Sequence, residues 1–322
     1  MDGIPKEGIL VVELSFLIFE TALLQALSLG FEAFAIHHFG ANLDFGNNRQ
    51  FIKFSFACFD CALVIAYLIV RYSYYFGIPT IEGALDRIGC CSFGRNRPKG
   101  HTENKSKSSA TNGYYLSRTA RNIGALHALS FIVLCLYQHY YVGSWSYYGL
   151  DNYFLNRTAA ENYANGGELL PSSSMIDYTR AGSMLLFHPI KEEFIFRVTM
   201  VPIFRYRFKR ADYAVLGAAT IFGLIHAANL FSGRFAFSYV VLQCSFAFLC
   251  GMFYSLQFLL TNNVWNVIFL HMTNNLFSSF VPAHRAIDVS DPIVFGLLAF
   301  TCIIYGAECR HGFRKLHEQK DE

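Results

Sequence analysis

Eight apolar blocks dominate this chain, most of them long enough to cross a bilayer as a helix of about 20 residues. They run over about 9–36, 51–76, 123–143, 181–204, 212–231, 236–260, 263–282 and 291–308. Charged residues make up 15% of the sequence, where a soluble domain usually carries about 25%. Hydrophobic residues reach 53% and aromatics 17%. No alternation of Val and Thr between turn dipeptides points to a β-barrel, and no internal repeat is evident. Backbone donors and acceptors in lipid must then be satisfied within each segment, which leaves the helix. The expectation is an all-α, polytopic membrane helical bundle of about eight transmembrane helices in a single domain.

Basic residues set the orientation. The stretch 86–122 carries Arg87, Arg95, Arg97, Lys99, Lys105, Lys107, Arg118 and Arg121. The link after the fourth block holds Arg205, Arg207, Lys209 and Arg210, and the last stretch adds Arg310, Arg314, Lys315 and Lys320. With eight spans these segments and both termini share one side, which the positive-inside rule makes cytosolic. The net charge of +3 therefore reflects topology, and the lipid bilayer rather than nucleic acid is the partner it implies. Four segments follow: 1–122 with the first spans and the basic loop 86–122; 123–180 with the third span and a non-cytosolic loop; 181–282; and 283–322 with the last span and a basic tail. Asn156-Arg-Thr158 is a glycosylation sequon on the non-cytosolic side, and Asn104-Lys-Ser106 is one on the cytosolic side.

Several polar residues have a structural reading. Glu13 and Glu20 lie seven apart on one face of the first span and should pair or pack inside the bundle. No small-residue cleavage site follows them, so the first block is read as a retained span. Cys58-Phe-Asp60-Cys61 has metal-like spacing, but it lies inside a span with no second pair. Cys90-Cys91, just past the second span, suits reversible palmitoylation.

The block 181–204 cannot be an ordinary lipid-facing helix. Lys191, Glu192, Glu193 and Arg197 each cost about 2.5–3.5 kcal/mol near mid-membrane. Eleven Leu, Ile, Val and Phe residues of 182–204 offset about 3–7 kcal/mol of that. These charges must pair, reach an interface or face a wet cavity. Glu193 and Arg197, four apart, share an α-helical face and read as an ion pair. Glu192 lies about 100° further round, beside His188. Phe222 and His226, with Asn229 one turn on, form a second polar motif, and His271 and Asn275 a third. One such residue is ordinarily interhelical glue; three motifs in order, each at helical spacing, mark a site.

The order Glu-Glu-x-x-x-Arg, Phe-x-x-x-His, His-x-x-x-Asn over 180–282 resembles the CAAX-protease and bacteriocin-processing (CPBP) family of intramembrane proteases. The nearest branch is the type II CAAX prenyl endopeptidases, of the Ras-converting-enzyme type. The resemblance implies that 181–282 is a catalytic core and that the protein sits in the endoplasmic reticulum membrane with cytosolic termini. Its implied reaction is removal of the C-terminal -aaX tripeptide from prenylated CAAX-terminal protein substrates. Residue by residue it makes Glu192 the catalytic glutamate with His226 beside it, His271 and Asn275 the holders of the oxyanion, and Glu193 and Arg197 supporting residues. The chain departs from the branch at Ala227-Ala228-Asn229, where further histidines are common, and at Asn274, where a Cys is often found.

The chemistry follows from the residues as well. No Ser or Cys adjoins a His within the motifs, so water is the nucleophile, with a glutamate to take its proton and return it. This reading needs no cofactor. The rival chemistry makes Glu192, His226 and His271 three ligands of a zinc ion with water as the fourth. A CPBP-type protease acting on a different membrane substrate, and a non-enzymatic transporter or scaffold with a polar core, are the other readings.

Overall fold

A computed structural model describes residues 46–78, 80–87, 118–133, 182–232, 235–278 and 288–321, with residues 20, 23, 30, 31, 34 and 136. Every secondary-structure element among the described residues is helical. They are α1 (Gly46–Tyr75), α2 (Ile81–Arg87), α3 (His188–Glu193), α4 (Val201–Phe208), α5 (Ala211–Ile225), α6 (Phe237–Thr261), α7 (Val264–Ser278) and α8 (Pro292–Asp321). Residues 118–133 are helical too. Ser183–Phe187 and Phe194–Met200 are π-helical, and His226–Ser232 is a 3₁₀ helix.

Local chemistry explains where these helices begin and end. After α1, Gly77 takes a left-handed φ of 61°. Its N–H donates to Tyr74 O, and Ile78 N–H donates to Ser73 O, the paired bonds of a Schellman cap. Asn262 at φ 47° ends α6 in the same hand, and Asn263 Oδ1 then accepts from Trp265 and Asn266 N–H to start α7. Asp291 Oδ1 caps α8 by accepting from Ile293 and Val294 N–H, with Pro292 as its first residue. Pro189 and Pro202 lack an N–H to give, and each opens a short α-helix that follows a π-helical stretch.

Four helical segments are long and apolar enough to cross a membrane: Lys53–Tyr75, Ala211–Phe231, Phe237–Thr261 and Pro292–Glu318. They answer to the expected spans 51–76, 212–231, 236–260 and 291–308, the last of them extended by ten residues. The expected span 181–204 is instead a broken helix of alternating α and π pieces, since its two prolines interrupt the ladder. The expected span 263–282 contributes α7, 15 residues long. The described residues cover the expected spans 9–36 and 123–143 only in part, and Glu13, Cys90, Cys91, Asn104 and Asn156 lie outside them.

Contacts group the described residues into two compact units. One takes the described residues of 1–85 and 148–195, the other those of 86–147 and 196–322. The division falls inside the π-helical segment Phe194–Met200, where no linker composition marks it. In the first unit α1 packs on Ser183–Phe187 and α3. Glu20 accepts from Tyr67 of α1 and pairs with Arg71 at 3.4 Å, the pairing role expected of it.

In the second unit α5 packs on α6, on α4 and on the 3₁₀ segment, and α6 packs on α7 and α8. Small residues bring α5 and α6 close. A Cβ at Gly223 would meet Cys244 O at 3.0 Å, and one at Gly251 would meet Ala219 Cα at 3.1 Å. Gly223→Val should therefore lower the thermal midpoint of the detergent-solubilised protein by several degrees, an overpacking cost of about 1–3 kcal/mol. Gly296→Ala, whose Cβ would meet nothing within 4 Å, should leave it unchanged or higher, as read by size-exclusion recovery after heating.

Candidate active site

Glu192 and Glu193 end α3 in the first unit, Glu192 half-buried and Glu193 with 0% exposure. The other four residues singled out lie in the second unit. Arg197 is fully buried in the π-helical stretch; half-buried His226 stands where α5 gives way to the 3₁₀ turn. His271, buried, and Asn275, half-buried, are one turn apart on α7. Between Glu193 and Arg197 the helix is π rather than α.

A single ring gathers three of the second unit's four site residues. Phe222 of α5, 2% exposed, meets His226 edge-to-face at 5.0 Å and His271 edge-to-face at 5.9 Å. The guanidinium of Arg197 lies over the same ring at 4.4 Å. Tyr254 of α6 closes the group: its ring is 5.3 Å from the Arg197 guanidinium and 5.5 Å from the His271 ring, which stacks on it. Phe196 packs edge-to-face on Phe222 at 4.8 Å. An arginine with no exposed surface is thus surrounded by aromatic faces. Each such face contributes up to about 2 kcal/mol when desolvated. Arg197 Nη2 also donates to Gly251 O at 3.5 Å.

Hydrogen bonds orient the two imidazoles. His226 Nδ1 lies 2.7 Å from Phe222 O, the carbonyl one turn earlier. A carbonyl only accepts, so Nδ1 carries the proton and Nε2 of a neutral ring is the acceptor nitrogen. Asn229 Nδ2 donates to Gln243 Oε1 at 2.8 Å, tying the 3₁₀ turn that begins with His226 to α6. On α7, Tyr254 Oη donates to Leu270 O at 3.5 Å, next to His271. Two imidazoles sharing one ring would suit two hydrogen-bonding groups at a reacting carbonyl, or two of the three zinc ligands considered above.

Sequence reasoning passed over Tyr254, Gly251 and Gln243. A tyrosine in the middle of an otherwise apolar span was the available signal for the first. Asp60, noted only as an odd acid within a span, pairs with Lys191 at 2.5 Å.

Residues 178–277 match the family model described as Type II CAAX prenyl endopeptidase Rce1-like. The match covers Glu192, Glu193, Arg197, His226, His271 and Asn275, and the resemblance read from the three motifs holds for this segment. No curated protein and no solved structure gives a significant match to the chain. The apolar helices mark an integral membrane protein, and its segment 178–277 is similar to the Rce1-like type II CAAX prenyl endopeptidases.

The aromatic setting of Arg197 makes the planar guanidinium, and not charge alone, the stabilising feature. Arg197→Lys should lower the thermal midpoint measurably although it keeps the charge. Arg197→Ala should lower folded yield further, as quantified by monodisperse recovery from membranes.

Proposed function

We propose that this protein is an intramembrane endopeptidase that removes the C-terminal -aaX tripeptide from prenylated CAAX proteins, with water activated by Glu192. One observation carries the reading: the Rce1-like segment 178–277 holds the three polar motifs in order, and a residue from each meets at the Phe222 ring. In this scheme Glu192 takes a proton from water as it attacks the carbonyl carbon after the prenylated cysteine. His226, with Nδ1 held by Phe222 O, accepts a hydrogen bond from that water through Nε2. His271 and Asn275 donate to the developing oxyanion, each contributing about 3–4 kcal/mol. Glu192 then returns the proton to the leaving amine. Glu193 and Arg197 support the site.

The prenyl chain would lie in lipid between helices, where each buried CH₂ contributes about 0.8 kcal/mol, and would bring the scissile bond to the site. The protein would reside in the endoplasmic reticulum membrane with both termini cytosolic, where such substrates arrive. A CPBP-type protease with another membrane substrate is the second reading, favoured by Ala227-Ala228-Asn229 in place of further histidines.

Membranes containing the protein should release a tripeptide from a farnesylated Cys-a-a-X peptide. An unprenylated twin should neither react nor compete. Glu192→Gln, His226→Ala and His271→Ala should each abolish release while the protein remains inserted, and Asn275→Ala should slow it by about 10²–10³. Full activity in Glu192→Gln would remove the mechanism. Loss of activity on thorough chelation, restored by zinc, would favour Glu192, His226 and His271 as metal ligands. If both peptides are ignored while an unrelated membrane peptide is cut, the protease assignment stands and the CAAX substrate falls.

Topology is tested separately. Endoglycosidase should shift the protein through Asn156 and not through Asn104; a shift traced to Asn104 would reverse the orientation.

A further inference from the structure

Lys191 immediately precedes Glu192, and its Nζ lies 2.5 Å from Asp60 Oδ2 of α1. The two side chains are 12% and 13% exposed, so this ion pair is largely withdrawn from solvent. It is one of several contacts between α1 and the same stretch of chain. Cys61, beside Asp60, donates through Sγ to Phe187 O at 3.9 Å. Phe54 packs on Phe187 with ring centroids 5.4 Å apart, and a Cβ at Gly182 would sit 3.0 Å from the Phe54 ring. All of these residues belong to the first unit. The family match contains Lys191 but begins long after Asp60.

We propose that Asp60 and Lys191 are positioning residues, an ion pair through which α1 sets the placement of Glu192. This rests on the proposed protease reading. Successive side chains on a helix diverge by about 100°, so fixing Lys191 against α1 also fixes the direction in which Glu192 leaves the helix. The stretch needs such a tether. The α-helix α3 has only six residues, contains Pro189 and lies between two π-helical segments, so its own hydrogen-bond ladder holds it weakly. By contrast α1 is an unbroken helix of 30 residues. Asp60 is short and leaves little slack, and a buried ion pair persists only while both partners stay together. The N-terminal half of the chain thereby acquires a task in the reaction, although it lies outside the matched segment.

The test uses the full-length protein in membranes, with farnesylated Cys-a-a-X peptide as substrate and hydrogen exchange over 182–193 as a second readout. Asp60→Asn together with Lys191→Met leaves no uncompensated charge and should keep the wild-type thermal midpoint. Its kcat should fall about tenfold or more with KM within about twofold, as expected for a displaced catalytic group. Exchange over 182–193 should rise while 264–278 stays protected. The exchanged pair Asp60→Lys with Lys191→Asp keeps the combined length and should restore both kcat and protection. Wild-type kcat and wild-type exchange in the neutral double variant would overturn the proposal. So would a charge-exchanged variant that folds yet stays as slow and as loosened as the neutral one. Asp60→Glu, which retains the charge, serves if the others fail to fold: it should keep 182–193 protected, and exchange like that of an unfolded segment would count against the tether. If wild type cuts no peptide, the functional reading fails, and the exchange data alone decide whether the pair holds the segment.

Discussion

An arginine with no solvent-exposed surface, inside a protein whose surroundings are hydrocarbon, is the constraint on which the second unit depends. Arg197 cannot be hydrated there, and its charge is met by the faces of Phe222 and Tyr254 and by the carbonyl of Gly251. To bring those groups within reach, α5 and α6 must approach closely, which Ala219, Gly223 and Gly251 allow. The same two rings then meet His226 and His271, edge-to-face at Phe222 and stacked at Tyr254. One buried cation thus links the packing of the helices to the spacing of the imidazoles.

The long apolar helices were legible because their evidence is local. A run such as 236–260 has length, composition and no proline, and it is found as Phe237–Thr261. The three motifs were legible for the same reason, since residues four apart on an α-helix share a face whatever lies around them. Period-based reading failed at 181–204. Pro189 and Pro202 each remove a donor, and the chain answers with π-helical stretches that no α repeat describes. It failed again at the end of α8, where Arg314 and Lys315 both pair with Glu318 and carry the helix past the apolar run.

Partners distant in sequence were not legible at all. Asp60 and Lys191 are 131 residues apart, and Asn122 and Glu308 are 186 apart, yet each pair is joined by a direct hydrogen bond. Asp60 and Lys191 each stood as a charged group within an apolar block, and nothing in one sequence says which charge answers which. Tyr254 was hidden differently. Aromatic residues are so frequent here that one more carried no information until Arg197 was seen beside it.

The uninterrupted course of α8 has a mechanical consequence. Thirty residues at about 1.5 Å each make a rod of about 45 Å, longer than the hydrocarbon it crosses. No proline follows Pro292 to act as a joint. The basic residues at its far end therefore stand on a continuous helix, not on a loose tether. Tyr305 on that rod meets Phe253 edge-to-face at 5.3 Å, and Phe253 is the neighbour of Tyr254. The helix that carries Arg314 and Lys315 is thus the same one that packs beside the ring stacked on His271.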